Sequence, residues 1–228
     1  MIKLFLLLAV LCSVAACQPK SIEGGSELAR EAELHKVKRI TDEQIFAEAY
    51  VAGDSVASRA QRRLRAQLAN GLRETAGIAG ALKYCQTENY LGADSLQQLY
   101  QATVSRTSQQ LRNPKNAATG KVAELLDAYH YNAENKLALE PNVQILPEGD
   151  LLYTKPIVLN DQMCLRCHGT PLQDIGAADW AMLQAAYPQD KATGYKTGDL
   201  RGMWVVKLPK ESLVKSIGQK PKKAKPNA

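Results

Sequence analysis

Long hydrophobic runs are nearly absent from this chain. The most apolar, Leu4 to Leu11, spans eight residues, well short of the ~20 that a membrane-crossing helix needs. Histidine is scarce, with three among 228 residues, and cysteine numbers five. At that composition a compact cluster of the two arises by chance on the order of one time in a thousand. No internal repeat runs through the chain. No regular alternation of strand and helix patterns is present, which argues against a parallel α/β fold. No segment reads as a kinase or cyclase module, so any signal passes to a separate protein. Excess charge is small, formally +6. Much of it lies in Lys215, Lys220, Lys222, Lys223 and Lys225, interleaved with Pro221 and Pro226. Residues 211–228 therefore read as a basic disordered tail. Its functional reading is attraction to anionic lipid or an acidic redox partner, and the plainer one is a solvated tail.

Against that background, Cys164-Leu165-Arg166-Cys167-His168 stands out. Two cysteines two residues apart, followed by histidine, form the attachment signature of c-type haem. Each thiol adds to one porphyrin vinyl group, and the next residue brings an imidazole to the iron. Two other chemistries use similar residues. A thioredoxin-type Cys-x-x-Cys sits near a strand–helix junction in a βαβ unit, and no such pattern surrounds this motif. A zinc site drawn from Cys85, Cys164, Cys167 and His168 needs adjacent residues as ligands, a poor match to a tetrahedral centre. One covalently attached haem c is the expected cofactor.

The start of the chain agrees. Lys3, the apolar Leu4–Leu11 and the small residues before Cys17 make a secretory leader over 1–16. Val14-Ala15-Ala16-Cys17 looks like a bacterial lipobox, with ordinary signal cleavage as the alternative. Lipid on Cys17 gives a durable membrane anchor, since stable attachment needs more than one chain. The expected location is the bacterial periplasm, lipid-anchored, with the outer membrane favoured. Nucleic acid is excluded by that location.

Residues 17–40 read as a polar tether and 41–210 as one domain. The hydrophobic fraction of 45% is globular. Thr41-Asp42-Glu43-Gln44 is a capping-box start. Val56, Ala60, Leu64, Leu68 and Leu72 then recur every fourth residue, with Arg59, Arg62, Arg63 and Arg65 mainly off that line. Gly71, or Gly77 with Gly80, is expected to kink or divide this helix. Leu96 to Val104 suggests a further short helix or turn. Val122–Tyr129 reads as a helix, and the runs flanking Pro147–Asp150 as a β-hairpin. Ala177–Ala186 reads as a helix and Met203–Leu208 as a strand. Helices first, then an antiparallel sheet with a helical insertion, is α+β.

Several segments share one order with a known family. They are Val104–Ser108, Arg112-Asn113-Pro114-Lys115-Asn116, Tyr153–Ile157, Cys164–Gly169, Tyr187–Tyr195 and Gly198–Gly202. This series resembles single-haem c-type proteins with a PAS-like domain, first described from a cyanobacterium, over about residues 45–209. The resemblance implies long helices followed by a PAS-like antiparallel sheet carrying haem c. It also implies a role in redox or gas sensing.

His168 is expected on one face of the iron. Candidates for the other are Cys85, His35, His130, Met163, Met182 and Met203. Cys85 is the thiol left over once leader, lipid and haem take theirs, on an apolar helical face with Leu82, Ala81 and Ile78. Its alternative reading is a buried, inert cysteine. The resemblance implies that a cysteine at this place serves as axial ligand. Arg106, Arg112 and Lys155, with Tyr153 behind them, are candidates for the haem propionates, surface or turn contacts being the alternative. The function expected is a redox or gas (carbon monoxide or nitric oxide) sensor with His/Cys ligation, signalling to a partner protein. The alternative is a monohaem electron carrier. A peroxidase needs distal acid–base groups. No compelling pair is present, so the chain is not read as an enzyme.

Overall fold

The computed structural model describes residues 25–34, 39–74, 77–84 and 94–219. Two compact units divide the chain at Arg39. In the first, Gly25–Leu34 form helix α1, inside the stretch expected to be tether. The second carries everything else. Its elements are α2 (Asp42–Glu74), α3 (Ala79–Leu82), α4 (Ser95–Leu99), β1 (Thr103–Thr107) and α5 (Gly120–Glu134). They continue with β2 (Asn142–Ile145), β3 (Leu151–Val158), α6 (Gln162–His168), α7 (Ala177–Ala186), β4 (Leu200–Leu208) and α8 (Lys210–Gln219).

The four strands form one antiparallel sheet in the order β1-β4-β3-β2. The α+β expectation, with a long helix ahead of the sheet, holds. Period-2 alternation sends Leu151, Tyr153, Trp204, Val206 and Leu208 to one face, against Ile45, Ala49, Ala52 and Val56 of α2 and Leu213 of α8. Leu152, Met203 and Val205 go to the other face, against Leu126 and Tyr129 of α5. Burial on both faces explains the unbroken apolar run Met203–Val206 within β4. Each fully buried large side chain, such as Trp204 or Tyr153, contributes about 1.5–3 kcal/mol. The Tyr129 hydroxyl stays satisfied beneath the sheet, 3.0 Å from the Glu140 carbonyl and 3.1 Å from Thr154 Oγ1.

Helix α2 begins at the expected capping box. Gln44 N donates to Thr41 Oγ1 (3.3 Å) while Thr41 N donates to Gln44 Oε1 (3.0 Å). The four arginines off its apolar line are exposed, and Val56 and Leu64 are buried. Gly71 does not break the helix. It is buried inside it, where a Cβ would strike the Gly80 carbonyl, so α3 packs directly on the α2 backbone. Helix α2 ends at Glu74, and Gly77, ahead of α3, is in the left-handed region at φ +73°.

Two segments depart from the sequence reading, and a third, to which it gave no secondary structure, is helical; each has a physical cause. The segment around Val104 is strand β1, because Thr103–Thr107 pairs with Met203–Lys207 along the free edge of β4. The haem-motif residues are helical, because Asp161 caps α6 through the Met163 amide at 2.9 Å. The expected tail begins too early. Lys210–Gln219 form α8, with Leu213 fully buried and Ser216 Oγ donating to the buried Glu48 carboxylate at 2.8 Å. Of the expected tail, residues 220–228 lie outside the described residues.

Gly53 tests the α2–sheet contact, since a Cβ there would occupy the space of the Tyr153 ring. The expected result for Gly53→Ala is a loss of about 1–3 kcal/mol from overpacking, despite alanine's higher helix propensity. Gly218→Ala, on α8 with open space around it, is expected to be neutral or stabilising by up to about 1 kcal/mol. Urea denaturation of both variants measures the contrast.

Candidate functional site

The helix that carries Cys164, Cys167 and His168 is tied down at both ends. At its start, Arg65 Nη2 of α2 reaches the capping Asp161 at 2.6 Å. At its end, the Gly169 amide closes the last turn on the Leu165 carbonyl at 2.8 Å. Gly169 leaves no room for a Cβ beside Asp174. One helical turn separates the two sulphurs, and His168 lies four residues after Cys164, so all three share one side of α6.

That side looks into a cavity of about 180 Å³. Leu64, Leu68 and Leu72 of α2 and Ala81 of α3 line it from the helical side. Arg106 and Thr107 of β1, Ile157 of β3, and Arg201, Gly202 and Trp204 of β4 line it from the sheet. Met163, Cys164, Cys167 and His168 lie along α6. Arg112 completes the wall from the loop after β1. The lining is largely apolar, with cationic side chains at four places, Arg65, Arg106, Arg112 and Arg201.

The imidazole of His168 is oriented by its neighbours. Nδ1 lies 2.8 Å from the Ala192 carbonyl. A carbonyl only accepts, so Nδ1 carries the proton and Nε2 keeps its lone pair. Arg201 Nε, 3.3 Å from the same Nδ1, is then a neighbouring cation rather than a donor to it. Burial, then the charges of Arg201 and Arg112, hold the His168 pKa well below the ordinary histidine range. The ring is thus a neutral base aimed by a backbone acceptor, the state that metal-binding histidines adopt. Arg201 is itself pushed down to about 10, by desolvation first, and stays cationic at neutral pH. Tyr195 meets the His168 ring edge-on, at a centroid separation of 6.2 Å.

The loop carrying Ala192 is pinned. Gly194 N donates to the Gly169 carbonyl and Tyr195 N to the His168 carbonyl, both at 2.9 Å. Arg112 Nε pairs with Asp190 Oδ2 at 3.0 Å, and the two side chains are 8% and 2% exposed. Arg112 Nη2 donates to the Cys167 and Ala192 carbonyls. Removing one member of so buried a pair costs about 3–5 kcal/mol. Arg112 Nη1 is buried with no hydrogen-bond partner among the described residues, a donor that an anionic group in the cavity would satisfy. Burial raises the Cys164 thiol pKa, so it is a neutral thiol at pH 7.

The fold therefore brings Cys164, Cys167, His168, Arg106, Arg112 and Met163 to one cavity. Tyr153 and Lys155 are placed elsewhere. They share a sheet face with Ile157, where the cavity begins, but lie nearer the start of α2, and neither lines it. The Tyr153 hydroxyl and Lys155 Nζ both donate to Asp54 Oδ1 at 2.8 Å. Burial alone would raise the Asp54 pKa, but the hydrogen bonds from Lys155 and Tyr153, with the Lys155 charge, lower it overall. His130 is on α5, where burial lowers its pKa, Met182 is partly exposed on α7, and Met203 is in the α5-side core. None of the three lines the cavity. His35, Cys85 and Cys17 lie outside the described residues. Among those described, no three His, Cys, Asp or Glu side chains form a metal-binding group.

Arg201, Asp190 and the Ala192 carbonyl escaped the residue-by-residue reading. Their signal was present, because both segments belong to the ordered series Tyr187–Tyr195 and Gly198–Gly202. Their contact with His168 is long-range and has no periodicity to betray it.

Comparison with known proteins gives two matches. A family model described as Tll0287-like (Tll0287) matches residues 31–209. The crystal structure of the cyanobacterial heme-protein Tll0287 aligns with a TM-score of 0.48 and 23% identity, covering 68% of this chain and 93% of that one. No curated protein matches.

The His168 geometry predicts a pH dependence for the cofactor-free protein. Folding lowers this pKa, so the unfolded chain binds more protons below about pH 6.5. The resulting stability is fully present above that pH and is lost as pH falls toward the depressed folded value. Urea midpoints are expected to decline from pH 7 to 5, less steeply in His168→Gln. Histidine ¹⁵N spectra at pH 7 are expected to show the Nδ1–H tautomer, and an Nε2–H signal for His168 would contradict the assignment.

Proposed function

The chain belongs to the Tll0287-like family, and from that premise we propose that it is a c-type haem protein. One haem would be held in the cavity by thioether links to Cys164 and Cys167 and by His168 Nε2 at its iron. The observation that carries this reading is the 2.8 Å contact between His168 Nδ1 and the Ala192 carbonyl, an acceptor that assigns the ring proton to Nδ1. The motif supplies the residue types, and this bond leaves the correct nitrogen available beside both thiols. The aliphatic residues of α2 exclude water, and Arg106, Arg112 and Arg201 offer cationic partners to the propionates. When bound, haem supplies a one-electron iron couple and a coordination position whose ligand tunes the potential.

The role proposed is redox or diatomic-gas sensing rather than catalysis, with Cys85 as the second residue that would hold the iron. A thiolate ligates; uptake of one proton turns it into a thiol, a poor ligand. Cys85 follows α3, which rests on α2 through the Gly71–Gly80 contact. A change at Cys85 would thus be felt along the longest helix of the domain. A partner protein would read that change. The chain would be held at the periplasmic side of a bacterial membrane by lipid on Cys17.

Three measurements test this. Mature protein made with haem-maturation machinery is expected to gain the mass of one haem and a Soret band, both lost in the Cys164→Ala/Cys167→Ala variant. A bare polypeptide mass with no Soret band would refute haem c. Cys85→Ala is expected to change the optical and EPR spectra of the oxidised protein, and unchanged spectra rule out thiolate ligation. Reduced protein is expected to bind carbon monoxide. If it stays six-coordinate and binds no gas, the electron-carrier reading takes its place.

A further inference from the structure

We infer that the Arg112–Asp190 pair is a positioning device that sets how strongly His168 donates to iron, through a carbonyl the two side chains share. The inference rests on the haem reading above. Ala192 O is 2.8 Å from His168 Nδ1 and 3.3 Å from Arg112 Nη2, so one acceptor serves two donors. Asp190 holds both ends of the arrangement. Its Oδ2 takes Arg112 Nε at 3.0 Å, and its Oδ1 takes the Ala192 amide at 2.7 Å. A closed circuit runs Arg112, Asp190, Ala192, and on to His168.

The direction of the effect follows from hydrogen-bond polarisation. A carbonyl that pulls on Nδ1–H gives the ring imidazolate character and makes Nε2 a stronger donor, favouring the higher iron oxidation state. A guanidinium on the same carbonyl competes for its lone pairs and weakens that pull. Asp190 restrains the competition, because it engages Arg112 by a second nitrogen and partly neutralises it. A second cation beside the ring, Arg201, does not hydrogen-bond Ala192 O. Arg201 Nη1 is instead held by the Gln110 carbonyl at 3.1 Å. The pair is almost wholly buried, so solvent screens it little.

Spectroelectrochemistry of the full-length, haem-loaded protein tests the circuit. In Asp190→Asn, Arg112 loses its carboxylate partner and is left with the Cys167 and Ala192 carbonyls, so its charge bears more strongly on Ala192 O. The reduced-to-oxidised ratio at fixed poise is expected to rise about tenfold, which is ~59 mV for one electron. Two charge-conserving changes separate this from simple electrostatics. Arg112→Lys keeps the ion pair but loses the fork that reaches Ala192 O, and Arg112→Gln/Asp190→Asn removes both charges together. Each is expected to lower the potential below wild type and to move the His168 ¹⁵Nδ1 resonance toward imidazolate. Wild-type potential and resonance in folded, haem-loaded Arg112→Lys overturn the inference. Should the double variant fail to fold, the lysine variant decides alone. Absence of haem from the wild-type protein would instead defeat the underlying reading, a result visible before any potential is measured.

Discussion

One hydrogen bond organises the functional end of this molecule: His168 Nδ1 to the Ala192 carbonyl, across 24 residues of sequence. It determines which nitrogen of the ring bears the proton and therefore which can bind a metal. Much of the surrounding structure keeps the carbonyl in place. The loop from Asp190 to Tyr195 is stitched to the end of α6 by two backbone bonds and to the β1 loop by a buried ion pair. The Lys191 amide adds a bond to the Leu111 carbonyl at 2.9 Å. A surface loop of this length would ordinarily be mobile. Here it is a fixed acceptor.

Helix α2 serves two purposes along its length. Its first half packs Ile45, Ala49, Ala52 and Val56 on the sheet, with Gly53 admitting the Tyr153 ring. Its second half walls the cavity with Leu64, Leu68 and Leu72. The transition comes at Asp54 and Ser58, where Lys155 fills the space between helix and strand with a part-exposed polar cluster. One apolar stripe of a single amphipathic helix thus supplies both the core and the site. This coupling gives any event in the cavity a direct mechanical route to the domain's core.

Several features were legible because they are local. The Thr41–Gln44 capping box, the hairpin around Pro147–Asp150 and the helix Ala177–Ala186 all depend on residues within a few positions of one another. The Cys164–His168 motif is local too. Less legible were elements whose form is set by distant partners. Thr103–Thr107 has mixed burial and becomes a strand because the edge of β4 is available. Residues 211–219 fell within the expected basic tail, yet the apolar Leu213 and the buried Glu48 draw them onto α2. The candidate role of Tyr153 failed to reach the cavity for a similar reason. Strand periodicity correctly predicts its face but not which stretch of helix covers it.

What the sequence alone determined is the chemistry on offer: two thiols and an imidazole at fixed spacing, a long amphipathic helix, an α+β order of elements. Those properties reside in neighbouring residues and survive without any fold. Tertiary structure decided the state in which that chemistry is presented. The neutrality of His168, its protonated Nδ1, and the arginines gathered from four separate segments at one cavity all arise from contacts made only after the chain closes on itself. Burial and hydrogen bonding act on groups brought together through space, and no spacing along the chain encodes that meeting directly.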